Sequence, residues 1–212
     1  GKTSVKDALA TVFSDFGPTH KSQKSFNNHL GAPITLASMP TATQYGIFEL
    51  GMNHAGELSR LSHQVKPDIA VITNVVSVHL AHFDSETDIA RAKAEIIEGL
   101  SPKGTLILNN DNPYTGLITS MAVGRTVMTF GTAVGSDVQI IKSQTNALGG
   151  DVTLRIDGEE IEVCLTVPGA HWFAKAAACL VPAKGEGMDL QKDAQAMSTG
   201  APAPWRGASA AP

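Results

Sequence analysis

The chain has 212 residues, enough for one large domain, or one domain with a small appendage, around a sizeable core. Its 42% hydrophobic content and mean hydropathy of +0.01 are those of an ordinary globular protein. A net charge of −4, few aromatic residues and the lack of a basic stripe argue against a nucleic-acid partner. No apolar run is long enough to cross a bilayer, and the cytoplasm is the expected location.

Residues Lys2 to Phe16 place Val5, Ala8, Leu9, Val12 and Phe13 at helical spacing, and Gly17-Pro18 ends that helix. The polar stretch from Thr19 to Met39 reads as a loop feeding a short helix. Tyr45 to Leu50 suits a buried strand, and Glu57 to Val65 a helix. Asp68 to Val76, apolar and β-branched after Pro67, is the clearest parallel-type strand. Ser85 to Leu100 reads as one amphipathic helix, and Thr105 to Leu108 as the next strand. Strands alternating with helices predict a three-layer α/β domain with a mostly parallel sheet.

The texture changes near Arg125. Val127–Phe130, Val138–Lys142, Val152–Ile156 and Ile161–Val167 read as short strands between glycine-rich turns. Residues 125–168 are therefore expected to form a small antiparallel sheet attached to the main domain. An alanine-rich helix follows and ends near Leu180. Residues 181–212, with Gly185, Gly187, Pro202 and Pro204, read as a domain end or linker. Cys164 and Cys179 form no C-x-x-C pair, and both read as buried, reduced thiols.

The start, Gly1-Lys2-Thr3-Ser4, matches the second half of the phosphate-binding motif G-x-x-x-x-G-K-[ST]. Lys2 would reach the β/γ-phosphates and Thr3 would offer its hydroxyl to Mg²⁺. A helix start with Thr3 or Ser4 near the cap is the plainer alternative. In open α/β sheets ligands gather beyond the carboxyl ends of strands. The strand ends here lead into Glu49, Asn53 and His54, into His79, and into Asn109, Asn110 and Asp111. A carboxylate, an imidazole and an Asn/Asp cluster are thus expected along one edge. Glu49 and Thr3 are suitable oxygen ligands for a hard cation. His63 and His82 read as surface residues, and Lys93 on pattern alone as a snorkelling lysine.

Six ordered segments resemble one family: GKTSVK, SFNNHLGAPITL (Ser25 to Leu36), FELGMNHAGEL (Phe48 to Leu58), PDIAVITNVVSVHLAHFDS (Pro67 to Ser85), IARAKAEI (Ile89 to Ile96) and LNNDNP (Leu108 to Pro113). The family is the Mur ligases, ATP-dependent amide-forming enzymes of peptidoglycan synthesis. The NN-x-x-G-x-P-x-T and ELGMNH segments resemble the branch that joins D-Ala-D-Ala to UDP-MurNAc-tripeptide. The resemblance implies a three-domain enzyme of which residues 1–180 are the central ATPase domain, with a P-loop-type nucleotide site. It also implies phosphoryl transfer from ATP to the tripeptide carboxylate, then attack of the D-Ala-D-Ala amine on the acyl phosphate.

By the same resemblance, Lys2, Glu49, His79 and Lys93 would be catalytic. Gly1, Lys2, Thr3, Ser4, Asn53, His54, Asn109, Asp111 and His171 would bind ATP, and Asn27 and Asn28 the UDP-linked substrate. Thr3, Glu49, His79 and Lys93 would hold Mg²⁺, Lys93 as a carbamate.

Two features depart from the family. Lys175 stands where the G-x-H-x-x-x-N motif has an asparagine, and an ammonium donates but does not accept. The front half of the phosphate loop is not in the sequence, so little ligase activity is expected from this chain alone. A folylpolyglutamate synthetase-like ligase and a degenerate, non-catalytic nucleotide-binding module are the alternative readings.

Overall fold

A computed structural model describes residues 1–76, 83–147, 149–166, 169–185 and 187. The elements in order are α1 (Lys2–Ser14), β1 (Thr19–Lys21), α2 (Gly31–Ala37), β2 (Tyr45–Ile47), α3 (Glu57–Val65), β3 (Ile69–Ile72), α4 (Glu86–Ala94) and a 3₁₀ turn (Glu95–Gly99). There follow β4 (Thr105–Asn109), α5 (Thr115–Met121), β5 (Thr126–Gly131), β6 (Val138–Asn146), β7 (Gly149–Ile156), β8 (Glu159–Leu165) and α6 (His171–Gly185).

Strand alternation builds the three layers. Ala70, Ile72, Leu106 and Leu108 point to one face and pack with Leu58, Leu61, Ile89 and Ile118 of α3, α4 and α5. Ile107 and Phe130 point to the other face and join Val5, Leu9, Val12 and Phe13 of α1 and the alanine run of α6. Burying one such leucine or isoleucine stabilises the fold by about 1.5–3 kcal/mol. β3, β4, β5 and β6 pair in parallel, so their carboxyl ends lie along one edge.

The antiparallel strands expected after Arg125 are β6, β7 and β8, and they extend the same six-stranded sheet. β5 belongs to the parallel run. The β7–β8 turn places Asp157 and Gly158 at φ 52° and 87°, as a two-residue hairpin of right-handed twist requires. β1 and β2 form a separate parallel pair.

Several local expectations needed correction. The helix expected from Ser85 to Leu100 breaks after Ala94, because the following turn is drawn onto α3. The Glu95 carboxylate accepts from the Gly56 and Ser59 N–H groups at 2.7 and 3.3 Å, capping α3. A side chain at Gly99 would meet the Ser62 carbonyl carbon at 2.1 Å. α5 and β1 carry too little apolar period to be read from sequence: Ile118 is α5's buried residue, and β1 is Thr-His-Lys. α6 continues past Leu180 and through Pro182 to Gly185. Cys179 is buried, but Cys164 is exposed, since β8 alternation turns it outward between Val163 and Leu165.

Between the two sheets, the edges of β2 and β3 do not pair. They line a cavity of about 490 Å³, with α1 contributing Val5, Leu9 and Phe13. Lys2 and Glu49 line it as well, and Tyr45, Ile47, Ile69 and Val71 remain only partly buried there.

Candidate active site

The site begins with α1. Lys2 and Thr3 occupy its first turn, and Lys6, one turn on, is buried on the same helix. The Lys6 ammonium donates to the carbonyls of Ser22 and Lys24 at 2.8 and 2.6 Å and lies 3.6 Å from Asp7 Oδ1. Asp7 pairs more closely with Lys21, at 2.7 Å. α1 is thereby fastened to the turn after β1, where Lys24 takes a left-handed φ of 48°. Sequence reasoning missed Lys6. The available signal was a lysine beside the apolar Val5 and four residues beyond Lys2.

That turn positions Glu49. Ser22 Oγ, itself buried, accepts from the Glu49 N–H at 3.2 Å. The Glu49 side chain is 5% exposed at the end of β2, and its Oε1 accepts from Asn27 Nδ2 at 2.8 Å. Its Oε2 is buried and has no hydrogen-bond partner among the described residues. Leaving such an oxygen unpaired is costly.

α4 brings in Lys93, whose ammonium pKa is pushed down to about 8 by burial and then by the charge of Lys2. Lys2 thus lies near Lys93 and lines the same cavity as Glu49. His79 and His82 lie outside the described residues.

α6 closes another side. Burial, followed by the charge of Lys175, holds the His171 pKa below its ordinary value. The Lys175 ammonium stands 3.5 Å from the centre of the Trp172 ring, a cation–π contact. Burial lowers its pKa too, and it lies close to Gly1. The family position that would face adenine is therefore filled by a cation lying toward the start of α1. Gly169, at φ 120°, lets the His171 ring fold back; a Cβ there would lie 2.8 Å from the ring.

The other expected residues are engaged locally. Asn28 Oδ1 accepts from the Leu30 and Gly31 N–H groups at 3.1 and 2.9 Å, organising the start of α2. Asn53 and His54 are exposed, and their N–H groups donate to Glu57 Oε2 at 2.7 and 3.3 Å. The Asn53 contact is the main reason the Glu57 carboxyl sits below its usual range. Asn109 Oδ1 accepts from the Asp111 N–H at 2.9 Å. The Asp111 carboxylate in turn accepts from Thr132 N, Thr132 Oγ1 and Ala133 N at 2.8–3.0 Å, so it holds the β5–β6 turn. His63 is exposed, as expected.

The donor set can be judged for a hard divalent ion. Among the described residues, no three His, Cys, Asp or Glu side chains cluster as a metal cage. Mg²⁺ does not need one, since it usually takes one or two carboxylates plus phosphate oxygens and water. The orphaned Glu49 Oε2 fits that requirement, and Thr3 lies on the neighbouring turn of α1.

A family profile described as the Mur ligase middle domain matches residues 1–183. The UDP-N-acetylmuramoyl-tripeptide–D-alanyl-D-alanine ligase of Escherichia coli K12 is 34% identical over 195 residues, spanning 91% of this chain and 43% of that protein. The chain therefore spans less than half the length of that relative. A crystal structure of MurF from Acinetobacter baumannii superposes with a TM-score of 0.89 at 30% identity, over 94% of this chain and 44% of that one. The MurF ligase of Thermotoga maritima in complex with ADP shares the fold, with a TM-score of 0.84 at 21% identity over 94% of this chain and 46% of that one. The profile match across residues 1–183 and the 34% identity over most of the chain show that it belongs to the Mur ligase family as a middle domain.

Proposed function

We propose that this chain is the ATP-handling domain of a cytoplasmic ligase that joins D-Ala-D-Ala to UDP-MurNAc-tripeptide through an acyl phosphate. The observation that carries the reading is Glu49, buried at a strand end beside Lys2 with one oxygen unpaired. The substrates come from the relatives' names. Among the described residues, no helix is long and apolar enough to cross a membrane. The domain runs past residue 180, since α6 reaches Gly185 and the family profile residue 183, with the residues after them as its end or a linker.

Phosphoryl transfer is mostly positioning and charge neutralisation. Lys2 neutralises the β/γ-phosphates, with Gly1, Thr3 and Ser4 at the same helix start, where backbone N–H groups favour anions. Glu49 and Thr3 would hold one Mg²⁺, with His79 and a carbamylated Lys93 at a second, and the metal would draw charge from the transferred phosphoryl oxygens. A Lys93 amine with a depressed pKa has the neutral form that carbamylation requires. Its conversion to an anion would also relieve its repulsion with Lys2. Asn53, His54, Asn109, Asp111 and His171 would flank the nucleotide, and Asn27 and Asn28 the UDP-substrate side.

Calorimetric titration of Mg·ATP into the chain tests the nucleotide reading, with Glu49→Gln as control. Loss of magnesium-dependent binding in Glu49→Gln is expected; equal binding by both proteins refutes the assignment of Glu49. In the whole enzyme, phosphate release should require both UDP-MurNAc-tripeptide and D-Ala-D-Ala. Release driven by a folate and glutamate would identify a folylpolyglutamate synthetase-like ligase instead.

A further inference from the structure

We propose that Asn27 is a positioning residue for Glu49: its amide fixes one carboxylate oxygen so that the other is aimed at the divalent cation. The inference rests on the metal role given above to Glu49. It assigns Asn27 a task on the metal side of the site, distinct from contact with the UDP-linked substrate.

The geometry is closed on every side. An ionised carboxylate only accepts, so the 2.8 Å contact has Asn27 Nδ2 as donor and Glu49 Oε1 as acceptor. The Asn27 carbonyl accepts from the Gly51 N–H at 2.7 Å, which fixes the backbone that carries the amide. Gly51 also packs flat against that amide. A Cβ at position 51 would lie 2.9, 3.0 and 3.1 Å from the Asn27 Cγ, Oδ1 and Nδ2 atoms. The Glu49 backbone is held by Ser22 at 3.2 Å. Glu49 is thus tied at its N–H and at Oε1, which leaves Oε2 buried and unpaired. A carboxylate pinned through one oxygen presents the other in one direction, as a monodentate ligand to a hard cation must.

The Phe48-Glu49-Leu50-Gly51 run thereby acquires a physical reason for its glycine. Position 51 must be small so that Asn27 can lie over it and reach back to Glu49. Nothing in the pattern of Asn27 and Glu49, 22 residues apart, discloses this contact before folding.

Mn²⁺ serves as the probe, titrated into the 212-residue chain and followed by the loss of the free-ion EPR signal below the thermal midpoint of each variant. The wild type is expected to bind Mn²⁺ at a site that Glu49→Gln abolishes. Asn27→Leu, similar in size but without a donor, is expected to weaken binding about tenfold or more. Gly51→Ala should weaken it through displacement of the same amide. Glu160→Gln, which removes an exposed partner of Arg155, should leave it unchanged. Folded Asn27→Leu with wild-type Mn²⁺ affinity overturns the proposal.

A metal-free NMR measurement separates this inference from the metal reading. The Asn27 side-chain amide protons should be shifted and slow to exchange, and Glu49→Leu, which removes the acceptor, should abolish both effects. Absence of that signature overturns the pinning of Glu49. A wild type that shows the signature yet binds no Mn²⁺ overturns the metal role and, with it, the aim of Oε2.

Discussion

Replacing Lys93 by Met should stabilise the fold at neutral pH, because the lysine is held charged where its charge is poorly solvated. Burial and the Lys2 ammonium move its pKa from 10.5 to about 8. That displacement corresponds to about 3 kcal/mol, which residual solvent contact trims to about 2 kcal/mol. Below pH 8 both folded and unfolded chains carry the proton, and the folded state bears the full penalty. Between pH 8 and 10.5 the unfolded chain still holds a proton that the folded chain has shed. Wild-type stability therefore rises with pH across that window, relative to the variant. Above pH 10.5 the ionisation difference is gone.

The assay is thermal unfolding of both proteins in bicarbonate-free buffer at several pH values. At pH 7 the variant should melt about 4–8 °C higher, and the gap should narrow between pH 8 and 10.5. A gap that stays constant over that range, or a variant less stable at pH 7, would refute the reasoning.

Three further expectations concern the scaffold. Gly99→Ala places a Cβ 2.1 Å from the Ser62 carbonyl carbon and should cost about 3 kcal/mol by urea unfolding; an unchanged midpoint would show that the turn yields freely. Lys6→Met leaves the Ser22 and Lys24 carbonyls without their ammonium, costing about 2–4 kcal/mol, and faster amide exchange at residues 22–24 should accompany the loss. A thiol reagent should label Cys164 in the native protein and reach Cys179 only after unfolding. Cys179 is buried, and burial pushes its pKa up to about 12. Native labelling of Cys179 would contradict the packing of α6 on α1.

Long apolar segments made the main layers legible in the sequence. Val5, Leu9 and Phe13 disclosed α1, and the run from Ile69 to Ile72 disclosed β3. Elements with little apolar period were missed, as α5 and β1 show. The break after Ala94 was invisible because its cause, the capping of α3 by Glu95, lies 39 residues away in sequence. At the site, family resemblance marked Lys2, Glu49 and Lys93; the structure sets Lys2 near Lys93 and on the cavity that Glu49 lines. Resemblance did not disclose what each residue touches. Lys6 reads as a surface charge until its two carbonyl partners are seen, and the hold of Asp111 on the β5–β6 turn has no sign in the sequence. Cys164 and Cys179 looked alike in sequence, and only strand alternation separates them.

The unpaired edges of β2 and β3 divide the domain's hydrogen-bonded ladders into a small unit and a large one, which meet through the packing of Ala32, Tyr45 and Ile47. Ser22, Asn27 and Glu49 belong to the small unit built on β1, β2 and α2, whereas Lys93 belongs to the large sheet, and α1 joins the two. Among the described residues no ladder hydrogen bonds cross the gap, so the small unit should open at lower free energy than the main sheet. Each opening would carry Glu49 away from Lys93 and dismantle the site without unfolding the domain. A nucleotide held by groups on both sides would act as a clasp, with its largest effect on amide exchange in β1 and β2, far from the better-protected strands β4 and β5.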